Sequence, residues 1–252
     1  MQQKFKLTLA QLNAKVGDLA GNCEQAFQAW EAATAANSDM VMLPEMFATG
    51  YQVQDLVMKP AFLKDTIAHI NSLAKRCANG PTMGIGGPSR DAHGLYNAYY
   101  ILSGGSIQVI IKKHNLPNHA VFDEKRLYKS AEISGPYKVG SLRIGTPICE
   151  DAWHSEVPEA LAETGAQVLF VPNGSPYERE KSNRRIGLMV SRVIETGLPL
   201  VYLNMVGGQD DQVFDGGSFV LNPGGELALS LPMFETCIAH VRFLETPKGW
   251  LA

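Results

Sequence analysis

The sequence predicts a single α/β domain in which a mixed sheet system carries helices on its outside. Strand-length apolar runs alternate with helical patterns in the first half of the chain, and hairpin-type turns join strands in the second half. No Pro/Gly/Ser-rich linker, internal repeat or low-complexity tract divides the 252 residues. A 45% hydrophobic chain of this length folds with roughly 70–75% of its extended surface buried, enough for a large core.

Residues 4–12 alternate as a strand does, and 22–36 are Ala-rich with helical apolar spacing. A short apolar strand over 39–43 ends at Pro44. A helix follows over 60–78, with Pro60 in its first turn and Asn79-Gly80 as its stop. Strands are expected at 82–87, 96–102 and 107–112, the last two joined by the hairpin turn Ser103-Gly104-Gly105-Ser106. Next come a strand over 142–148, a helix over 157–164 stopped by Gly165, and a strand over 168–171. A helix over 184–196 ends at Gly197, and strands at 200–203, 217–221, 226–230 and 237–243 close the chain, with a turn at Asn222-Pro223-Gly224-Gly225.

Composition removes whole classes of function. Twenty-two Lys plus Arg against 25 Asp plus Glu leave a net charge of −3, which gives no electrostatic case for nucleic acid or an acidic membrane. No apolar run approaches the roughly 18–20 residues of a membrane span, and the N-terminal segment lacks the apolar stretch of a signal peptide, so a cytoplasmic protein is expected. Cys23, Cys77, Cys149 and Cys237 are far apart without a C-x-x-C pair, which argues against a disulfide framework or a zinc ribbon.

Three strand ends carry reactive side chains. An apolar strand runs out into Cys149-Glu150-Asp151-Ala152-Trp153 and a helix, a turn at which backbone N–H groups and a helix dipole favour a thiolate and a developing oxyanion. Glu45 follows Leu43-Pro44 in an apolar surround suited to a general base, and Lys112-Lys113 end a third strand. Each feature alone has a plain structural explanation: a buried thiol, a helix-start acid, a solvated strand terminus. Together, Glu, Lys and Cys at three strand ends are a much more specific signal than any one of them. His114 and His154 stand in no motif that sets them opposite the thiol. Asp210, Asp211 and Asp215 lack a metal-loop pattern and read as a polar loop, and Arg179, Arg184 and Arg185 as a solvated basic face. Two Gly-rich stretches, Ser103–Ser106 and 84–87, lack the context of a phosphate loop.

These segments resemble the nitrilase superfamily of carbon–nitrogen hydrolases: L-P-E at 43–45, K-x-x-L-P at 113–117 and C-E-D-x-W at 149–153, with the trailing segments at 172–176, 206–210 and 214–218. The similarity is closer to the glutaminase domain of glutamine-dependent NAD synthetases, through Thr49-Gly50-Tyr51, Asp55-Leu56 and Val121-Phe122-Asp123-Glu124. The resemblance implies a four-layer α-β-β-α sandwich over residues 1–252 that forms homo-oligomers. It implies Glu45 as general base, Cys149 as nucleophile and Lys113 as the cation at the tetrahedral oxygen, the K-x-x-L-P spacing selecting Lys113 over Lys112. Glu124 becomes a second carboxylate that positions Lys113 and the amide; Tyr51, Glu150, Ser175 and Lys181 become the groups that select glutamine. By the same resemblance the amidase step needs no metal or cofactor. ATP and magnesium would belong to a partner synthetase domain beyond residue 252, which would use the ammonia to amidate nicotinic acid adenine dinucleotide to NAD. The alternatives are a free-standing amidase or carbamoylase acting on another small amide, and a catalytically idle oligomerisation module.

Overall fold

Two sheets meet face to face in the computed structural model, which describes residues 2–252. In chain order the elements are β1 (Lys4–Gln11), α1 (Leu19–Ala35), β2 (Met40–Met42), α2 (Pro60–Arg76), β3 (Thr82–Arg90), β4 (Leu95–Ser103), β5 (Ser106–Lys112), α3 (Glu124–Leu127), β6 (Tyr137–Val139), β7 (Leu142–Gly145), α4 (Glu156–Glu163), β8 (Val168–Asn173), α5 (Lys181–Thr196), β9 (Leu200–Asn204), β10 (Val206–Gln209), β11 (Gln212–Asp215), β12 (Phe219–Leu221), β13 (Leu227–Ser230), β14 (Cys237–Thr246) and β15 (Gly249–Leu251). Short 3₁₀ turns cover Gln54–Met58 and Cys149–Trp153. One sheet has the order β15-β14-β1-β2-β3-β4-β5 and the other β13-β12-β9-β8-β7-β6, while β10 and β11 form a separate hairpin.

Burial explains the four layers. Phe5, Leu7 and Leu9 of β1 pack with Phe170 of β8, Val201 of β9 and Phe243 of β14 between the sheets, where Phe170 lies 6.3 Å from each of the Phe5 and Phe243 rings. The opposite face of the first sheet is covered by α1 and α2 through Ala26, Trp30 and Ile70, and that of the second by α4 and α5 through Leu161, Met189 and Val193. A fully buried Leu, Ile, Val, Phe or Met side chain contributes about 1.5–3 kcal/mol by leaving water. The expected α-β-β-α sandwich is the observed architecture.

Topology collects the chemistry at one end. β1, β2 and β3 are parallel, and β5 is antiparallel to β4, which is antiparallel to β3. β5 therefore runs in the same direction as β2, so Lys113 and Glu45 leave the first sheet at the same edge. In the second sheet β7, β8 and β9 are parallel and deliver Cys149, Ser175 and Asn204 in the same way.

Several boundaries differ from the sequence reading for local reasons. The Asp18 side chain accepts the Gly21 N–H, so α1 starts three residues before the expected position 22. The strand expected over 142–148 stops at Gly145, because Pro147 has no N–H and that of Ile148 is taken by the Asp151 carboxylate. The hairpin at Ser103–Ser106 forms as expected, with Gly104 and Gly105 both at positive φ. Strands β6, β10, β11 and β15 were not anticipated; they are short, and β10 contains Gly207-Gly208, which erases the apolar alternation.

Candidate active site

Glu45 sits in the turn after β2, almost fully buried at 1% exposure. That turn crosses β3 at Gly86, where a Cβ would stand 2.1 Å from the Met46 nitrogen, so glycine is required by the close approach. The carboxylate is held by three donors. Lys113 Nζ and Asn97 Nδ2 both donate to Oε1 at 2.7 Å, and the Gly174 N–H donates to Oε2 at 2.8 Å. Oε1 is thereby occupied twice and Oε2 once.

Lys113 follows β5 directly and is as buried as Glu45. Its ammonium donates to Glu45 Oε1 at 2.7 Å and lies 3.0 Å from Glu124 Oε2 as an ion pair without hydrogen-bond geometry, which leaves at least one of its three N–H bonds for another acceptor. Burial works against its charge, but the Glu124 and Glu45 carboxylates outweigh burial and hold its pKa well above the usual lysine value. Burial pushes the Glu124 carboxyl up, against the pull of Lys113. Adjacent Lys112 turns the other way, pairing with Asp91 and lying over the Tyr96 ring.

Cys149 stands at φ +48° at the start of its 3₁₀ turn, buried at 3% exposure. The sequence led us to expect a thiolate stabilised by a helix dipole. The structure corrects this: the turn is only five residues long, and burial first, then the Glu45 charge, push the thiol pKa well above its usual value, with Lys113 opposing. Burial thus favours the neutral thiol over the thiolate. Asp151, two residues on, fastens this turn to the lysine loop. One of its carboxylate oxygens accepts the N–H groups of His114 at 3.1 Å and Asn115 at 2.6 Å, and the other that of Ile148 at 3.0 Å.

A cavity of about 770 Å³ opens over the thiol and is lined by Cys149, Glu150, Ser175 and Lys181. Glu150 lies 3.4 Å from His119 and 3.6 Å from His154, presenting a carboxylate to the cavity. Lys181 is only loosely paired, 3.7 Å from Glu178, and burial together with the Arg185 charge lowers its pKa. Arg184 also lines the cavity and lies over the Trp153 ring, whereas Tyr51 and Glu124 are not part of its lining and meet each other, the Tyr51 hydroxyl donating to Glu124 Oε1 at 3.0 Å.

Two expectations are overturned here. Arg185 was read with its neighbours as solvated and Asp215 as part of a polar loop, yet both are buried and paired at 2.7 Å. Arg185 also donates to the carbonyls of Ser175 at 2.9 Å and Pro176 at 2.8 Å and to the Ser175 hydroxyl at 3.2 Å. The pair thus fixes the segment whose Gly174 N–H meets Glu45. Sequence reasoning also missed Asn97. Its only signal was an amide in the middle of the otherwise apolar strand Leu95–Ser103. Among the described residues, no group of three or more His, Cys, Asp or Glu side chains is placed to hold a metal ion.

Known proteins resemble the chain over its whole length. The glutamine-dependent NAD(+) synthetase of Rhodobacter capsulatus is 54% identical over all 252 residues and that of Thermotoga maritima 35% over 242, but the chain spans only 46% and 42% of those proteins. The solved structure of the glutamine-dependent NAD+ synthetase from Acinetobacter baumannii matches 98% of the chain with a TM-score of 0.91 and 29% identity, over 47% of its own length. An amidase of the nitrilase superfamily from Nesterenkonia shares the fold at a TM-score of 0.83 and 22% identity, over 90% of its length. The carbon-nitrogen hydrolase family model matches residues 6–246, and the chain belongs to that family.

Proposed function

We propose that the chain hydrolyses the side-chain amide of glutamine to glutamate and ammonia, as the glutaminase domain of a glutamine-dependent NAD synthetase. The observation that carries the reading is the buried Lys113, shared between Glu45 and Glu124, together with Cys149 in the lining of a cavity that also presents Glu150 and Lys181. The 54% identity to the Rhodobacter enzyme supports glutamine as the substrate.

In this reading Glu45 takes the thiol proton on Oε2, the oxygen with an acceptor site still open, as Sγ attacks the amide carbon. The carbonyl oxygen becomes an oxyanion that receives the unused Lys113 N–H and the backbone N–H of Glu150. The proton held by Glu45 passes to the nitrogen, the C–N bond breaks, and ammonia leaves a thioester on Cys149. Glu45 then deprotonates a water that attacks the thioester, and glutamate is released with the thiol restored. Glu150 receives the substrate ammonium, Lys181 with Ser175 its carboxylate, while Tyr51 keeps Glu124 on Lys113.

Residues 1–252 act as the amidase unit and need no cofactor for this step. A synthetase domain using ATP and magnesium would consume the ammonia to amidate nicotinic acid adenine dinucleotide. We place the activity in the cytoplasm, in a homo-oligomer.

Ammonia release tests this. Purified protein should release it from glutamine, and Cys149→Ala should show no turnover. Equal or faster release from acetamide or an N-carbamoyl amino acid would replace glutamine with another amide, and unimpaired release by Cys149→Ala would overturn the chemistry.

A further inference from the structure

Strand β4 is apolar on both sides of Asn97, yet this amide is completely buried at 0% exposure. Its two N–H bonds divide between the two acids of the site, reaching Glu45 Oε1 at 2.7 Å and Glu124 Oε1 at 3.1 Å. Its backbone carbonyl accepts the backbone N–H of Lys113 at 2.9 Å, so one residue holds both acids by its side chain and the Lys113 main chain by its own. Its Oδ1 has no hydrogen-bond partner. Turning the amide over would place that oxygen against two carboxylates, so the observed orientation serves the acids and leaves its own acceptor unpaired, which costs the fold stability.

We infer that Asn97 is a positioning residue for the cleavage step: it holds Glu45 by Oε1 and so leaves Oε2 as the atom that takes the proton from Cys149. The inference rests on the reading of Glu45 as the base. Charge explains why an amide stands here. Two carboxylates share one lysine, and a second cation would satisfy them equally well but would weaken Glu45 as a base. A neutral group with two donors holds both acids and keeps the site's net negative charge.

The test uses Asn97→Leu, which is nearly isosteric and has no donors, and Asn97→Asp, each made in the 252-residue chain with and without Glu45→Gln. Asn97→Leu should keep its melting temperature within a few degrees, lower kcat for glutamine about 10²-fold and change KM less than threefold. It should slow alkylation of Cys149 by iodoacetamide at pH 7.5 by a similar factor and converge on the parent rate at high pH, where the thiol ionises without a base. In the Glu45→Gln background it should slow alkylation no further, because the two substitutions act on one step. Asn97→Asp should gain activity relative to the parent as the pH is lowered, since only the protonated acid donates. Additive slowing in the Glu45→Gln background, or an Asn97→Leu effect confined to KM, overturns the inference. If Asn97→Leu fails to fold, the Asn97→Asp pH ratio decides alone, a flat ratio counting against it. Normal alkylation of the Glu45→Gln variant would instead overturn the reading of Glu45 and leave the Asn97 contacts a structural matter.

Discussion

Glu45 and Asp151 are both buried carboxylates served by three donors, but they meet opposite electrostatic surroundings. Glu45 has an ammonium at 2.7 Å. Asp151 has three backbone N–H groups, and burial pushes its carboxyl up to about 7, with those bonds and the more distant Lys113 charge opposing. An acid whose folded pKa lies above its unfolded value binds its proton more tightly when folded. Its contribution is therefore complete below about pH 4 and is lost as pH rises to about 7, a swing on the order of 4 kcal/mol. Asp151→Asn removes that swing. The unfolding free energy of the variant relative to the parent should rise between pH 4.5 and 7.5 in urea titrations, and a constant difference across that window would refute the assignment. The same substitution places an amide N–H against that of Ile148, so kcat should fall roughly tenfold even where stability is gained.

At the scale of elements, the site depends on a few crossings between segments that are remote in sequence. The Glu45 turn passes over β3 at Gly86, and Gly86→Ala forces it away. Activity should fall at least tenfold, since a displacement of about 1 Å can cost 10² in rate; parental kcat in a folded variant would show that the turn yields harmlessly. Helix α5 reaches the end of β8 through Arg185, which is neutralised by Asp215 of β11. Removing one partner strands a buried charge, so Asp215→Ala should lose about 3–5 kcal/mol in denaturant unfolding. Replacing both partners with apolar residues should recover part of that loss, yet leave Ser175 and Gly174 less firmly held and kcat reduced.

Across the whole molecule, stability and chemistry lie in different places. The inter-sheet core centres on Phe170, whose ring neighbours come from β1 and β14 of the opposite sheet, while the reactive groups gather at the strand ends. Phe170→Ala should cost about 3–5 kcal/mol and lower the melting temperature, while kcat stays within about twofold at temperatures where the variant is folded. A large loss of kcat there would mean that the sheet packing itself sets the site geometry.

The sequence by itself determined the local structure: strand and helix periods, the turn at Gly104-Gly105, the strand ends that carry Glu45, Lys113 and Cys149, and through their order the family. Those signals are legible because period and turn chemistry act over a few neighbouring residues. Tertiary structure alone decided what meets what. Asn97 reaches a carboxylate 52 residues away and Gly174 one 129 away, and no local pattern encodes either pairing. Arg185 looked solvated because its neighbours are exposed cations, and only the fold sets it against Asp215. The thiol was read from its turn as readily ionised. Its pKa is raised instead by burial between two sheets, since desolvation depends on everything packed around the sulfur and not on the residues beside it in the chain.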